Sequence, residues 1–133
     1  MLSILKFITT ALVGKFLYLT DIHYDPDYKT GSPNTCLLDS IGVTCCHDYD
    51  IRVINSLPAN KWGDYNCDTS PLFFNKSMEW IRHHHPDIDM IIYTGDSAGH
   101  EDIFNTPGVI LHSVDAVFDQ FKTKYPPIGK PPL

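Results

Sequence analysis

Two short apolar runs and two helical stripes carry the pattern of this chain. A long polar stretch with neither period lies among them. Phe16-Leu17-Tyr18-Leu19 leads into Thr20-Asp21-Ile22-His23-Tyr24-Asp25, where the chain turns polar. A run of that length, ending in polar residues, predicts a buried strand over 15–20. A second run, Asp89-Met90-Ile91-Ile92-Tyr93-Thr94-Gly95-Asp96, predicts another over 88–94. Between them, Ser70-Pro71 marks a helix start, with Ser70 as N-cap and Pro71 at the first helical position. Phe74, Met78 and Ile81 then recur at helical spacing, and Pro86 stops the helix. Strand, helix and strand in that order predict a βαβ unit with parallel strands and a right-handed crossover. Pro107 opens a second helix whose buried stripe is expected to be Val109, Ile110, Val114, Val117, Phe118 and Phe121, and Tyr125-Pro126-Pro127 ends it. The fold class is α/β.

Chemistry gathers where the apolar runs end. Asp21 and His23 share one parity, so a strand carries them to the same side. A carboxylate and an imidazole so placed suit a divalent metal. The carboxyl edge of an open α/β sheet is also where ligand sites lie. Asp96 ends the second run in the same way, behind a glycine that permits a sharp turn and a close approach. Asp21, His23 and Asp96 are therefore expected around one point. A carboxylate bridging two cations is how a two-metal phosphoester site is built. His100, four residues beyond Asp96, is placed to act there as a proton donor, and Glu101 and Asp102 either orient it or are plain exposed acids. His83-His84-His85 falls in the last turn of the first helix. Three successive side chains point in different directions, so these histidines read as a solvated helix end rather than a ligand set.

At 133 residues the chain suits a single domain with one core. The net charge of -6, without any Lys/Arg cluster, argues against nucleic acid as a partner. A phosphodiester remains compatible, because metal cations supply the missing positive field. The four cysteines, Cys36, Cys45, Cys46 and Cys67, allow three pairings, and no C-x-x-C spacing favours zinc. Disulfides imply an oxidising compartment. Asn75-Lys76-Ser77 is a glycosylation sequon and agrees with that. Residues 1–14 read either as a minimal signal peptide, with Phe7 to Val13 as its apolar core, or as a linker remnant; 15–133 form the domain. The 26–71 segment is too long for an unstapled loop in a compact domain, and the cysteines supply the staples. Its Trp62, Tyr65 and Tyr49 either line the approach to the metals or form the loop's own small core.

Taken in order, these motifs resemble a known family. Asp21-x-His23 followed by Gly95-Asp96 is similar to the first two metal motifs of the calcineurin-like metallophosphoesterases. Leu19-Thr20-Asp21-Ile22-His23-Tyr24-Asp25, the Cys45-Cys46 pair, Trp62-Gly63-Asp64-Tyr65-Asn66-Cys67-Asp68 and Tyr93-Thr94-Gly95-Asp96-Ser97-x-x-His100 narrow the resemblance to acid sphingomyelinase and its phosphodiesterase relatives. It covers about Lys15 to Tyr125. It implies the N-terminal part of a β-sandwich flanked by helices, with disulfides Cys36–Cys45 and Cys46–Cys67. It also implies two zinc ions, with Asp21 and His23 on the first and Asp96 bridging both. His100 would protonate the leaving oxygen, with Asp25 orienting His23 from behind. The implied activity is phosphodiester hydrolysis, with sphingomyelin as one candidate substrate and nucleotides or polyphosphate as others. Membrane contact is expected only through a lipid substrate, and the implied location is secreted or lysosomal.

The family continues with a Gly-Asn-His motif and further histidines that complete both metals. Here the corresponding stretch reads Pro127-Ile128-Gly129-Lys130-Pro131-Pro132, and His112, within a helix, is the last histidine. At most a partial zinc site is therefore expected, and a non-catalytic short isoform or pseudoenzyme stands as the alternative. A half-sheet with an open edge would also be prone to aggregation.

Overall fold

The computed structural model describes residues 14–100 and 105–126. The expectations for the N-terminal segment, for Glu101 and Asp102, and for the 127–132 stretch lie outside the described residues.

Both apolar runs form strands, shorter than the sequence pattern predicts. β1 is Phe16–Leu19 and β2 is Met90–Tyr93. They pair in parallel, Phe16 with Met90 through to Leu19 with Tyr93. α1, Pro71–His84, lies between them in the chain, so the predicted strand-helix-strand unit forms. Ser70 caps α1 with its side chain, accepting from the Phe73 N–H at 3.2 Å. α2, Pro107–Lys124, starts from Thr106, whose hydroxyl accepts from Val109 N–H. Both helices place a proline in the first turn, where its missing N–H leaves no helical bond unmade.

The core sits between one face of the sheet and the two helices. Ile22, Phe74, Met78, Val117 and Phe121 are buried together, with Leu17, Leu19, Ile91 and Tyr93 packed against them from the strands. Phe74 meets Phe121 edge-on, and Tyr93 packs edge-on against Phe121 and Phe118. The helical stripe of α1 is as predicted: Phe74 and Met78 are buried and Ile81 packs beside them. The stripe of α2 is narrower than predicted. Val117 and Phe121 are buried together with Ser113, whereas Val109, Ile110 and Phe118 are exposed. With so few elements around it, α2 finds an apolar partner along one narrow line only.

The strands are likewise less buried than expected. Phe16 is 62% exposed, and Tyr18 and Met90 also face outward, because the described helices cover only one side of the sheet. A small mixed α/β unit with a two-stranded parallel sheet is therefore what the described residues show.

The 26–71 segment is stapled as anticipated. Cys36 bonds to Cys45 and Cys46 to Cys67, with Cα atoms 5.8 and 6.0 Å apart. Each bridge stabilises the fold by about 2 to 4 kcal/mol in the usual loop-entropy account. Around them, Val43, Ala59 and His47 are buried, giving the loop a core of its own. A short 3-10 helix, Leu37–Ile41, and bridges between Pro33 and Pro58 and between Cys36 and Arg52 complete it. His47 is fully buried between Asp25 and Asp50, at 3.1 and 3.2 Å, and stacks on Tyr49. Tyr49 covers the buried His47 ring from the loop's surface, and Trp62 and Tyr65 also stand in solvent, so none of the three is buried in a loop core.

Tyr28 ties this loop together by donating to the Asn60 carbonyl at 2.5 Å. Burial, then the nearby Asp64 and Asp25 carboxylates, push its phenol up to about 12. The folded state thus holds this proton after the unfolded chain has lost it near 10, so the stabilising effect is complete below pH 10 and fades as pH rises toward 12. We expect the wild-type chain to lose stability more steeply across that window than Tyr28→Phe, as read by urea unfolding at a series of pH values; equal slopes would contradict it.

Candidate functional site

The register of the sheet does not stop where the strands stop. Beyond Leu19 and Tyr93 the two chains run on side by side. Thr94 N–H donates to Leu19 carbonyl at 3.2 Å, Asp21 N–H to Gly95 carbonyl at 3.1 Å, and His23 N–H to Asp96 carbonyl at 3.2 Å. Tyr24 N–H then meets Ser97 carbonyl at 2.6 Å, and Tyr24 pairs with both Ala98 and Thr69 in parallel bridges. The main chain therefore carries Asp21, His23 and Asp96 to one place.

Their backbone is unusual. Asp21, His23 and Asp96 have φ of 51, 45 and 59 degrees, and Gly95 between the strands' ends has φ of 100. Left-handed backbone is rare outside glycine and costs roughly 1–3 kcal/mol per residue. Only two other non-glycine residues among those described, Cys46 and Asn55, share it. Three residues brought together this way, each with a side chain of a type able to bind metal, form a candidate ligand clamp. Side-chain atoms of Asp21, His23 and Asp96 all lie within 4.8 Å of one another.

His23 is aimed by its surroundings. Its Nδ1 lies 3.1 Å from the Ala98 carbonyl, which can only accept, so that nitrogen carries the proton and Nε2 presents a lone pair. Nε2 stands 3.6 Å from Asp96 Oδ2, on the cluster side. This is how histidine ligands are commonly fixed, with a backbone carbonyl behind the ring. Asp25, expected in that role from the sequence, is buried and places its carboxylate 3.1 Å from His47 Nε2 and on the Asp27 N–H. The Asp21 carboxylate also accepts from the Thr20 hydroxyl.

His100 joins the cluster by stacking on His23, ring centroids 4.2 Å apart. A residue not singled out by the sequence reading positions it. Asp68 is buried, accepts from the His100 N–H at 2.6 Å, and lies 2.7 Å from His100 Nδ1. Thr44 Oγ1 donates to the same carboxylate at 2.9 Å. With Nδ1 donating to Asp68, the lone pair of a neutral His100 ring is on Nε2. The approach is so close that a Cβ on Gly99 would sit 2.8 Å from Asp68 Oδ2. His23, Asp68 and His100 form a second group able to hold a metal. The signal for Asp68 was present in Cys67-Asp68, but the Cys46–Cys67 bridge and the backbone bonds of Thr69 to His23 and Asp25 are what bring it beside His100.

The triple histidine is an exposed helix end. His84 stacks on Trp80, and its Nδ1 reaches the Trp80 carbonyl. Asn75 is partly buried on α1.

The comparisons with known proteins fit this geometry. The chain is 37% identical over 101 residues to an endopolyphosphatase of Schizosaccharomyces pombe, an alignment covering 68% of this chain and 16% of that protein. It is 33% identical over 87 residues to the human acid sphingomyelinase-like phosphodiesterase 3b, covering 65% and 17%. It is 31% identical over 126 residues to sphingomyelin phosphodiesterase 2 of Caenorhabditis elegans, covering 84% and 20%. No family model matches. The chain belongs to the metallophosphoesterase superfamily, in the group of acid sphingomyelinase-like phosphodiesterases, sphingomyelin phosphodiesterases and endopolyphosphatases. It spans about a fifth or less of the length of these three relatives.

Two outcomes are expected of substitutions here. Asp96→Gly accepts the left-handed backbone and Asp96→Ala does not, so Gly should be the more stable of the two by about 1–2 kcal/mol in denaturant unfolding. Equal stabilities would show that this backbone is not held left-handed. Asp68→Asn should cost about 1.5–3 kcal/mol, because a buried acceptor of several hydrogen bonds is weakened. It should also change the ratio of His100 tautomers in nitrogen-15 NMR; an unchanged ratio would place the control of His100 elsewhere.

Proposed function

We propose that this chain carries the first metal-binding half of a zinc-dependent phosphodiesterase site, within a domain over 15–133 that is the N-terminal portion of a metallophosphoesterase β-sandwich. The observation that carries the reading is the backbone clamp, which holds Asp21, His23 and Asp96 left-handed with their ligand atoms within 4.8 Å of one another. The donor set fits a divalent metal: two carboxylates, and one imidazole whose Nε2 is left as acceptor by the Ala98 carbonyl. Asp21 and His23 would hold the first ion and Asp96 would reach both. A bound metal pair supplies an activated water and offsets charge on the phosphoryl oxygens.

The remaining chemistry belongs to side chains. Protonated on both nitrogens, His100 would deliver its Nε2 proton to the departing oxygen and keep the one on Nδ1 toward Asp68, a role worth roughly 10²–10⁴ in rate. Asp68 holds the His100 ring by Nδ1, and the stack on His23 keeps it over the cluster. Asp25 braces the loop through His47. The substrate is a phosphodiester, with sphingomyelin supported by the sphingomyelin phosphodiesterase relatives; the endopolyphosphatase relatives instead support polyphosphate, whose links are phosphoanhydrides. Two disulfides support a secreted or lysosomal location, with Asn75 as a glycan acceptor.

Zinc titration by calorimetry should show saturable binding that Asp96→Ala abolishes, and a chromogenic phosphodiester should be turned over in a chelator-sensitive way. Zinc binding identical in the variant would remove the site. Zinc binding without turnover by the folded chain would favour the non-catalytic alternative.

A further inference from the structure

The residues that the loop leaves in solvent form a surface the metal cluster does not use. Trp62 is 47% exposed and Phe73 is 50% exposed, and Tyr65 projects fully into solvent. Such placement is wrong for a loop core. It is also ordered: Cys67 is bonded to Cys46, Asn66 N–H donates to Asp64, and Trp62 N–H donates to the Asn60 side chain. Together these residues line a cleft of about 580 Å³, with Asp68 and Ser70 among its walls. That size suits a small organic group. A second hollow of about 370 Å³ shares Trp62 and Phe73 and extends the cleft to Trp80 and Ile81. The two form one aromatic trough.

Two features decide what the trough takes. Asp68 lines the cleft and also holds His100, so one end of the trough lies a single side chain away from the candidate proton donor. Its charge is wrong for a polyanion. The walls of the larger hollow carry Asp64 and Asp68, and no lysine or arginine stands among its described lining residues. Lys61 lies over the Trp62 ring, and Lys76 borders only the smaller hollow. A chain of phosphates needs cations along its path, whereas an apolar group gains by covering aromatic surface.

We propose that the trough from Tyr65 and Trp62 across Phe73 to Trp80 is a subsite for an uncharged apolar group esterified to the phosphate. It selects organic phosphodiesters over polyphosphate. This deepens the phosphodiesterase reading and rests on it for the position of the phosphate.

The two tryptophans of the chain, Trp62 and Trp80, both line the trough, so intrinsic fluorescence reports its occupancy directly. The probes are hexyl methyl phosphate, a soluble diester, and tripolyphosphate, each titrated without added zinc. Hexyl methyl phosphate should give a saturable change, weakened roughly tenfold by Phe73→Ala, an anchor-sized loss. Tripolyphosphate should give none. Tyr65→Ala, at a fully exposed position, provides a second variant that leaves the fold intact and should also weaken the diester. Equal binding of both probes, binding of neither, or diester affinity unchanged in both variants would overturn the proposal. Repeating the diester titration with zinc separates the two readings. If the metal site fails but the trough holds, zinc and Asp96→Ala change nothing while Phe73→Ala still weakens binding. If the trough fails but the metal site holds, zinc tightens binding and Phe73→Ala has no effect.

Discussion

The structure depends on one parallel register that outlasts its strands. β1 and β2 pair over only four residues each, yet their hydrogen bonds continue through Asp21, His23 and Tyr24 on one side and Gly95, Asp96 and Ser97 on the other. An extended strand would send Asp21 and His23 along the sheet. The left-handed turns at Asp21, His23 and Asp96 instead concentrate their side chains at the sheet's end. The conformational strain of that arrangement is borne by the ladder beneath it and by the core of Ile22, Phe74, Met78, Val117 and Phe121. Ile22, between Asp21 and His23, is the residue that anchors the turn in the core.

The second constraint is covalent. The Cys46–Cys67 bridge joins the buried centre of the loop to the segment that carries Asp68 and runs on to Ser70, the cap of α1. Thr69 pairs with Tyr24, and its neighbour Asp68 grips His100. One short segment therefore touches the loop, the sheet extension, the first helix and the candidate proton donor. It also forms a wall of the aromatic cleft. Loop, ligand cluster and cleft are consequently one mechanical unit, and a change at Asp68 is felt in all three.

The fully buried His47 serves the same unit from the other side. It fills the space between Asp25 and Asp50, and Asp25 follows His23 by two residues. A buried polar group of this kind is stabilising when its partners are in place and costly when one is removed. The loop is thereby fastened to the end of β1 by polar contacts as well as through the disulfide-bonded segment.

Much of this was legible in the order of residues. Apolar period, N-caps and prolines specify β1, α1, β2 and α2, because those signals act within one or two turns of chain. The convergence of Asp21, His23 and Asp96 was legible too, since short motifs at strand ends bring their side chains to the sheet's edge. What the order of residues does not contain is burial, which depends on how many elements surround each one. Hence the exposed Phe16 and Tyr18, and the narrow stripe of α2. Nor does it contain pairings across the loop. Only the tertiary structure turns Asp25 toward His47, gives His23 to the Ala98 carbonyl, brings Asp68 to His100, and leaves Trp62, Tyr65 and Tyr49 on the surface, with Tyr49 stacked over the buried His47. Each of those outcomes is a contact between residues far apart in the chain or on opposite sides of a turn, where local propensity has no say and closure of the loop decides.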